Sequence, residues 1–157
     1  MECVLLCIGK TDSSALQQLM GHYEGRLQHY TKFSIQCLND PKNRKNLREQ
    51  QQKEAEALLI ERALKPTDRV VLLDENGTSY TSEGFATYLN KQQLAGHKRL
   101  VFVVGGPYGF APALYARAHQ KIQLSSMTFS HQMVRLFFVE QLYRAHTILK
   151  NEPYHHR

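Results

Sequence analysis

Apolar residues along this chain follow two rhythms, short unbroken or alternating runs and longer stretches in which they recur every three or four positions. The runs "CVLLCIGK" (3–10), "FSIQCL" (33–38), "RVVLLD" (69–74), "RLVFVV" (99–104) and "KIQLS" (121–125) predict strands. Between them, Leu16, Leu19, Met20, Tyr23, Leu27 and Tyr30 recur at helical spacing, and "LREQQQKEAEALLIERAL" is rich in helix formers up to Lys65-Pro66. A further helix is predicted over 81–96, capped by Thr81 or Ser82 and stopped by Gly96, with the turn "ENGT" before it. A short helix over 111–119 and a long one over 131–150 complete the series. Strand and helix alternate throughout, and parallel strands need crossover helices. The prediction is a single α/β domain over 1–157 with a mostly parallel sheet between helical layers.

Length and composition agree with one folded domain: 157 residues, 42% hydrophobic, without a low-complexity tract. No apolar stretch approaches the roughly 20 residues of a membrane span, and the N-terminus lacks the features of a signal peptide, so a cytoplasmic location is expected. Cys3 and Cys7 lie on one predicted strand, about 13 Å apart at 3.3 Å per residue, too far to share a disulfide or a zinc ion. All three cysteines, including Cys37, are read as small buried hydrophobes, and no metal site is predicted.

Charge adds a partner class. Twenty Lys and Arg stand against 14 Asp and Glu, a net charge of +6, which favours a polyanion. The densest basic cluster is "PKNRKNLR", where Lys42, Arg44, Lys45 and Arg48 form either a solvated loop or a phosphate-contacting arm.

"VFVVGGPYGF" (101–110) is the most specific stretch of the first two-thirds of the chain. Val101 to Val104 suit a strand buried on both faces, and loops at the ends of such strands hold ligands. Gly105 and Gly106 let a ligand approach the main chain without meeting a Cβ; a tight strand-to-helix turn is the alternative. The spacing is not G-x-G-x-x-G, and no Lys-Ser or Lys-Thr follows, so a phosphate cradle is disfavoured.

On the last helix, at about 100° per residue, His131, Arg135, Phe138, Val139, Leu142, Ala145 and Leu149 share one face, while Arg144 lies opposite Arg135. Phe137 and Ile148 interrupt the polar side, so the helix is expected to face its own sheet and a second subunit. Arg135, at the edge of an apolar stripe, either ties down a group within the fold or meets a ligand. The preceding "LSSMTFS" places small hydroxyls and apolar side chains in a bend before a helix N-terminus, which favours a ligand.

Three motifs, "VVGGPYG", "LSSMTFSHQMVR" and "EQLYRAHTILKNEPYHHR", together resemble the large-subunit ribosomal RNA methyltransferase H family of the SPOUT superfamily. The likeness extends to "IGK" and "GHYEGRL" and covers essentially the whole chain, loosely around 39–60. It implies an α/β fold with a deep C-terminal trefoil knot, a homodimer, and methyl transfer from S-adenosylmethionine to N3 of a pseudouridine, position 1915, in 23S rRNA, with the assembled ribosome as substrate. By the family's pattern the cofactor lies against Leu73, Gly105 and Gly106, and Leu124, Ser125, Ser126, Met127, Thr128 and Phe129 of the hook. Arg135 and Arg144 are the implied anion-stabilising or RNA-positioning groups. Tyr154 and His155 of the tail are the implied substrate contacts, His155 also a candidate general base, and a partner's tail completes each site. The family's hook carries proline where this chain has Ser130, which is expected to cap the helix instead. A flavodoxin-like nucleotide-binding module and a non-catalytic RNA-binding protein are the competing readings.

Overall fold

A computed structural model describes residues 1–156. In chain order it forms β1 (Glu2–Ile8), α1 (Ser14–Leu27), β2 (Lys32–Leu38), a 3-10 turn (Arg44–Asn46), α2 (Glu49–Ala63), β3 (Arg69–Ser79), α3 (Ser82–Leu94), β4 (Arg99–Val104), α4 (Pro112–Arg117), β5 (Gln120–Gln123) and α5 (His131–Leu149). The strands pair in the order β2-β1-β4-β3-β5, every pair parallel. The sheet is thus wholly parallel, as the crossover helices require.

Alternate residues of the three inner strands β1, β4 and β3 enter two separate cores. Leu5, Val71, Leu73, Phe102 and Val104 pack with Leu27 of α1, Phe85 and Leu89 of α3, and Phe138 and Leu142 of α5. Val4, Leu6, Leu72, Val101 and Val103 face Ala57 and Ile60 of α2 and Leu114 of α4. The period of two along buried strands therefore builds a three-layer domain. An aromatic stack centred on Phe102 and Phe138, ring centroids 4.5 Å apart, fixes α5 on the sheet.

Side chains set several helix starts. Thr81 Oγ1 accepts from the Gly84 amide at 3.0 Å, and Ser130 Oγ accepts from the Met133 amide at 3.1 Å, the capping role expected of it.

Two expectations change. "ENGT" is not a free turn: β3 runs on to Ser79, and Ile122 of β5 pairs with both Leu73 and Thr78, so residues 74–77 bulge around it. Gly77 sits where the chains are closest, since a Cβ there would lie 2.6 Å from the Ile122 backbone nitrogen and carbonyl carbon. Of the three cysteines only Cys3 and Cys7 are buried. Cys37 lies on the edge strand β2 and is exposed, because strand order, not hydrophobicity, decides which strand is left uncovered.

His146 on α5 stacks on Tyr30 and is mostly buried, its Nε2 without a partner. Burial, reinforced by the charge of Lys150, lowers its pKa from 6.5 to about 4. The neutral ring is thus favoured in the folded chain while the unfolded chain takes up a proton near 6.5. The stability contribution is present above that pH and is lost as pH falls toward 4, on the order of 2 kcal/mol. Urea unfolding between about pH 7 and pH 5 is expected to show a steeper loss for the wild-type chain than for His146→Phe. Equal slopes would contradict this.

Candidate active site

One row of the sheet register, Cys37, Cys7, Val104, Leu73 and Ile122, crosses all five strands, near the C-terminal ends of β1, β2, β4 and β5 and just before the bulge of β3. Beyond its β4, β3 and β5 members opens a cavity of about 810 Å³, within the range of small-molecule sites. Three segments wall it: the bulge of β3 with Leu73 and Asp74, the glycine loop from Gly105 to Phe110, and the hook from Leu124 to Ser130. Lys53 of α2 and His131 and Val134 of α5 close the sides.

Of the residues that the sequence implicated in cofactor contact, Leu73, Gly105, Gly106, Leu124, Ser125, Met127, Thr128 and Phe129 all border this cavity. Ser126 is exposed beside it without forming part of the wall. Met127 is 73% exposed, an apolar side chain held in solvent at the cavity rim. Ser125 Oγ accepts from the Met127 amide at 3.0 Å and so turns the hook on itself. Behind the hook a smaller hollow, about 290 Å³, shares Leu124, Ser125 and Phe129 and is lined further by Phe137 and Gln141.

The glycine loop is a tight hairpin. Gly106 and Gly109 form an isolated bridge, the Gly109 amide donates to the Gly106 carbonyl at 3.2 Å, and Gly109 takes the left-handed φ of +80° that a side chain would resist. Gly106 itself has no positive φ, and its missing Cβ does not face the cavity. A Cβ there would meet the Glu56 carboxylate, 2.3 Å from Oε1 and 2.7 Å from Oε2. The expectation that the bare position 106 makes room for a ligand is therefore corrected: the space beside it is taken by the Glu56 carboxylate, which a side chain there would displace.

Glu56 is 3% exposed and accepts from Gln52 Nε2 at 3.0 Å and from the Gly106 amide. Burial raises its pKa, and those two hydrogen bonds oppose the rise. α2 thus holds the glycine loop from beneath through one carboxylate. Neither Glu56 nor Lys53, Asp74 and His131 was singled out for the cavity from the sequence. Only helical spacing links Lys53 and Glu56, and nothing local says that α2 passes under the loop after β4. Asp74 is held in place at the bulge of β3, with Oδ1 accepting from the Asn76 amide at 2.8 Å and Oδ2 from the Tyr115 hydroxyl. Burial lowers the pKa of His131, with the Arg135 charge adding and Asp12 opposing.

Arg135 is the other correction. It is fully buried, with Nη2 donating to the Ile8 carbonyl at 2.7 Å, Nη1 to the Gly9 carbonyl at 2.9 Å and Thr11 Oγ1 at 3.1 Å, and Nε to the His131 carbonyl at 3.3 Å. It lines neither the main cavity nor the two smaller hollows and ties α5 to the end of β1, so the anion-stabilising reading gives way to the tether that the sequence held open beside it. Its donors are turned to carbonyls that the end of a strand leaves unpaired.

The tail forms a second, separate group. Arg144 donates to Glu140 Oε1 at 2.7 Å, lies 3.3 Å from His155 Nδ1 and stacks over the Tyr154 ring at 4.8 Å. The Tyr154 hydroxyl donates to the same Glu140 oxygen at 2.9 Å, and burial together with Tyr23 and Glu140 raises its pKa. His155 borders a small hollow beside Thr81, Ser82 and Glu83. Arg144 stands thirteen residues beyond His131 on α5, about 20 Å along the helix at 1.5 Å per residue. Within one chain, then, Arg144, Tyr154 and His155 are assembled with one another and held away from the cavity. The basic residues Lys42, Arg44, Lys45 and Arg48 lie exposed between β2 and α2, Arg44 paired with Asp40 at 2.8 Å.

A parallel sheet with a cavity of small-molecule size at the carboxyl side of its strands, walled by bare glycine backbone and a hooked loop, defines a three-layer α/β protein with a candidate ligand site. Comparison with known proteins narrows the class. Residues 1–155 match the family model described as "Predicted SPOUT methyltransferase". The chain is 59% identical over 157 residues to the ribosomal RNA large subunit methyltransferase H of Christiangramia forsetii and 55% identical over 157 residues to that of Flavobacterium johnsoniae, covering 100% of each chain. It is 47% identical over 156 residues to that of Bacteroides fragilis, covering 99% of each. The chain belongs to the ribosomal RNA large subunit methyltransferase H family of SPOUT methyltransferases.

Proposed function

We propose that the protein transfers a methyl group from S-adenosylmethionine, held in the cavity between β3, the glycine loop and the hook, to N3 of a pseudouridine in 23S rRNA, acting on the ribosome in the cytoplasm. The observation that carries the reading is the convergence of the glycine loop and the hook on one cavity of cofactor size. The relatives' names supply the large-subunit RNA as substrate class, and the net charge of +6 suits a polyanion.

The residues fit the donor. Leu73, Val104, Leu124 and Phe129 offer apolar walls for an adenine, while Asp74 supplies an anchored carboxylate at the rim and the loop supplies backbone polar groups. S-adenosylmethionine brings an electrophilic methyl on a sulfonium and no phosphates, so a site without a phosphate-clamping lysine motif suits it. The chain's own task is to hold donor and base in line and to favour the nitrogen's deprotonated form. We assign positioning of the base to Arg144, Tyr154 and His155, and place them over the cavity of a second copy, because in one chain none of the three lines the cavity and Arg144 lies roughly 15 Å along α5 from Val134 at its wall. The working unit is accordingly a homodimer. The family's trefoil knot belongs to the same reading.

Thermal-shift titration tests the cavity assignment. S-adenosylmethionine and S-adenosylhomocysteine are expected to raise the melting temperature, while flavin mononucleotide and ATP leave it unchanged. Stabilisation by flavin or ATP alone would overturn the reading in favour of a nucleotide-binding module. The Glu56 support makes a sharper prediction. Glu56→Ala frees the Gly106 amide and is expected to weaken S-adenosylmethionine binding about 10-fold or more, the scale of a lost hydrogen bond to a charged group. Glu56→Gln keeps an acceptor and is expected to stay within about threefold of wild type. Calorimetric titration separates the two, and unchanged affinity in Glu56→Ala would contradict the role.

A further inference from the structure

Methyl transfer makes no use of Cys7 and Cys37, yet the fold brings them together with care. They are register partners on the adjacent parallel strands β1 and β2. Neighbouring strands lie about 4.8 Å apart, inside the 4.4–6.8 Å range of Cα separations that a disulfide spans. Cys7 shares its face of β1 with Cys3 and Leu5, and Cys37 shares its face of β2 with Phe33 and Ile35, all toward the core beneath α1 and α5. Both sulfurs therefore point to the same side of the sheet. Cys7 is fully buried, whereas Cys37 is exposed at the sheet edge. Arg135 Nη1 approaches Cys37 Sγ at 4.0 Å, a buried cation beside an accessible sulfur.

These contacts divide the two thiols. The hydrogen bond from the Cys7 thiol lowers the Cys37 pKa to about 6, with burial opposing and Arg135 and Thr11 adding to the fall. The same hydrogen bond, followed by burial, raises Cys7 well above the ordinary range. The accessible sulfur is thereby favoured as the thiolate and the buried one as the thiol. A low-pKa, accessible cysteine next to a second thiol is the arrangement that hydroperoxides attack selectively.

We propose that Cys37 and Cys7 form a hydroperoxide-reactive pair that closes to a disulfide between β2 and β1. The Cys37 thiolate attacks one peroxide oxygen; the S–O bond forms, the O–O bond breaks, and the departing hydroxide or alkoxide takes a proton from water. The Cys7 sulfur then attacks the Cys37 sulfur, giving up its proton. The S–S bond forms, the S–O bond breaks, and the oxygen leaves as water. Two thiols lose two electrons and the peroxide gains them; a dithiol reductant reverses the change by exchange. Closure also removes the anionic sulfur from beside Arg135, the tether between β1 and the first turns of α5.

The test uses the full-length chain, reduced, freed of reductant and exposed to equimolar hydrogen peroxide, followed by tryptic mass spectrometry without reduction. The expected product links the peptide of residues 1–10 to that of residues 33–42, with fragmentation placing the bond at Cys7 and not Cys3. Cys37→Ser, at an exposed position, is expected to give no such link. In Cys7→Ala a sulfenic acid trapped by dimedone is expected at Cys37. As a readout that needs no variant, alkylation of Cys37 in the folded chain should level off by about pH 7, while in urea it keeps rising through about 8.5. A wild-type chain whose peroxide product lacks the cross-link, or whose Cys37 alkylates with the pH dependence of the unfolded thiol, overturns the proposal.

Discussion

Deleting residues 153–157 is expected to leave a dimer that binds S-adenosylmethionine as the wild type does and methylates ribosomes at about one-hundredth of its rate or less. The glycine loop and hook lie wholly upstream of the cut, and no described residue of the tail borders the main cavity, so the donor's contacts are expected to survive. What goes is the platform built on α5: the Tyr154 ring beneath Arg144, its hydroxyl on Glu140, and His155 against the same guanidinium. Arg144 would keep Glu140 but no longer be held in one orientation. Misplacement of a reacting base by about 1 Å is enough for a loss of this size.

The mixed dimer decides which chain each tail serves. Ser125→Trp is expected to fill the cavity from the hook and block the donor while leaving the tail intact. A truncated chain paired with a Ser125→Trp chain then has one open cavity facing one intact tail if the tail acts across the interface, and recovers up to half of the wild-type activity. A mixture as inactive as both parents, or a truncated enzyme with full activity, would contradict the assignment.

Gly77→Ala is expected to cost at least about 3 kcal/mol of stability, the upper end of what a core tolerates when volume is added and beyond it when backbone must move. Its Cβ would come within 2.6–2.7 Å of the carbonyl carbon of Lys121 and of the backbone nitrogen and carbonyl carbon of Ile122, atoms fixed by pairing to β3. No flexible side chain is available to move aside. Because the Ile122 segment leads directly into the hook, the damage is also expected to reach the cavity, and S-adenosylmethionine should no longer protect the variant against heat. A variant melting within a degree or two of wild type would show that the two backbones separate easily there.

The same region marks where the sequence stops being legible. Periodicity placed the α-helices and strands within a few residues, the far half of β3 excepted, because a period of two or of 3.6 depends only on which faces are buried. "ENGT" has turn composition, and nothing local shows that β5, more than forty residues later, pairs with its far side. Arg135 is similar: its place at the edge of an apolar stripe announces a buried partner but not whether that partner is a carbonyl or a ligand. The answer, the carbonyls of Ile8 and Gly9, needed the position of β1. Glu56 read as one acid in a charged helix, and only the crossing of α2 beneath Gly106 gives it a task. The hook, by contrast, was readable as a candidate site, since its dense run of hydroxyls before a helix N-terminus is unusual for a connection that merely turns.

The most direct test of the proposed reaction incubates the purified protein with S-adenosylmethionine carrying an isotopic methyl and ribosomes from cells lacking this methyltransferase. Nucleosides from each rRNA are then analysed by mass spectrometry. The expected result is close to one labelled methyl per 23S rRNA, recovered as N3-methylpseudouridine, and none in 16S rRNA. Label in another nucleoside, label in 16S rRNA, or no transfer by a chain that binds the donor would contradict the assignment.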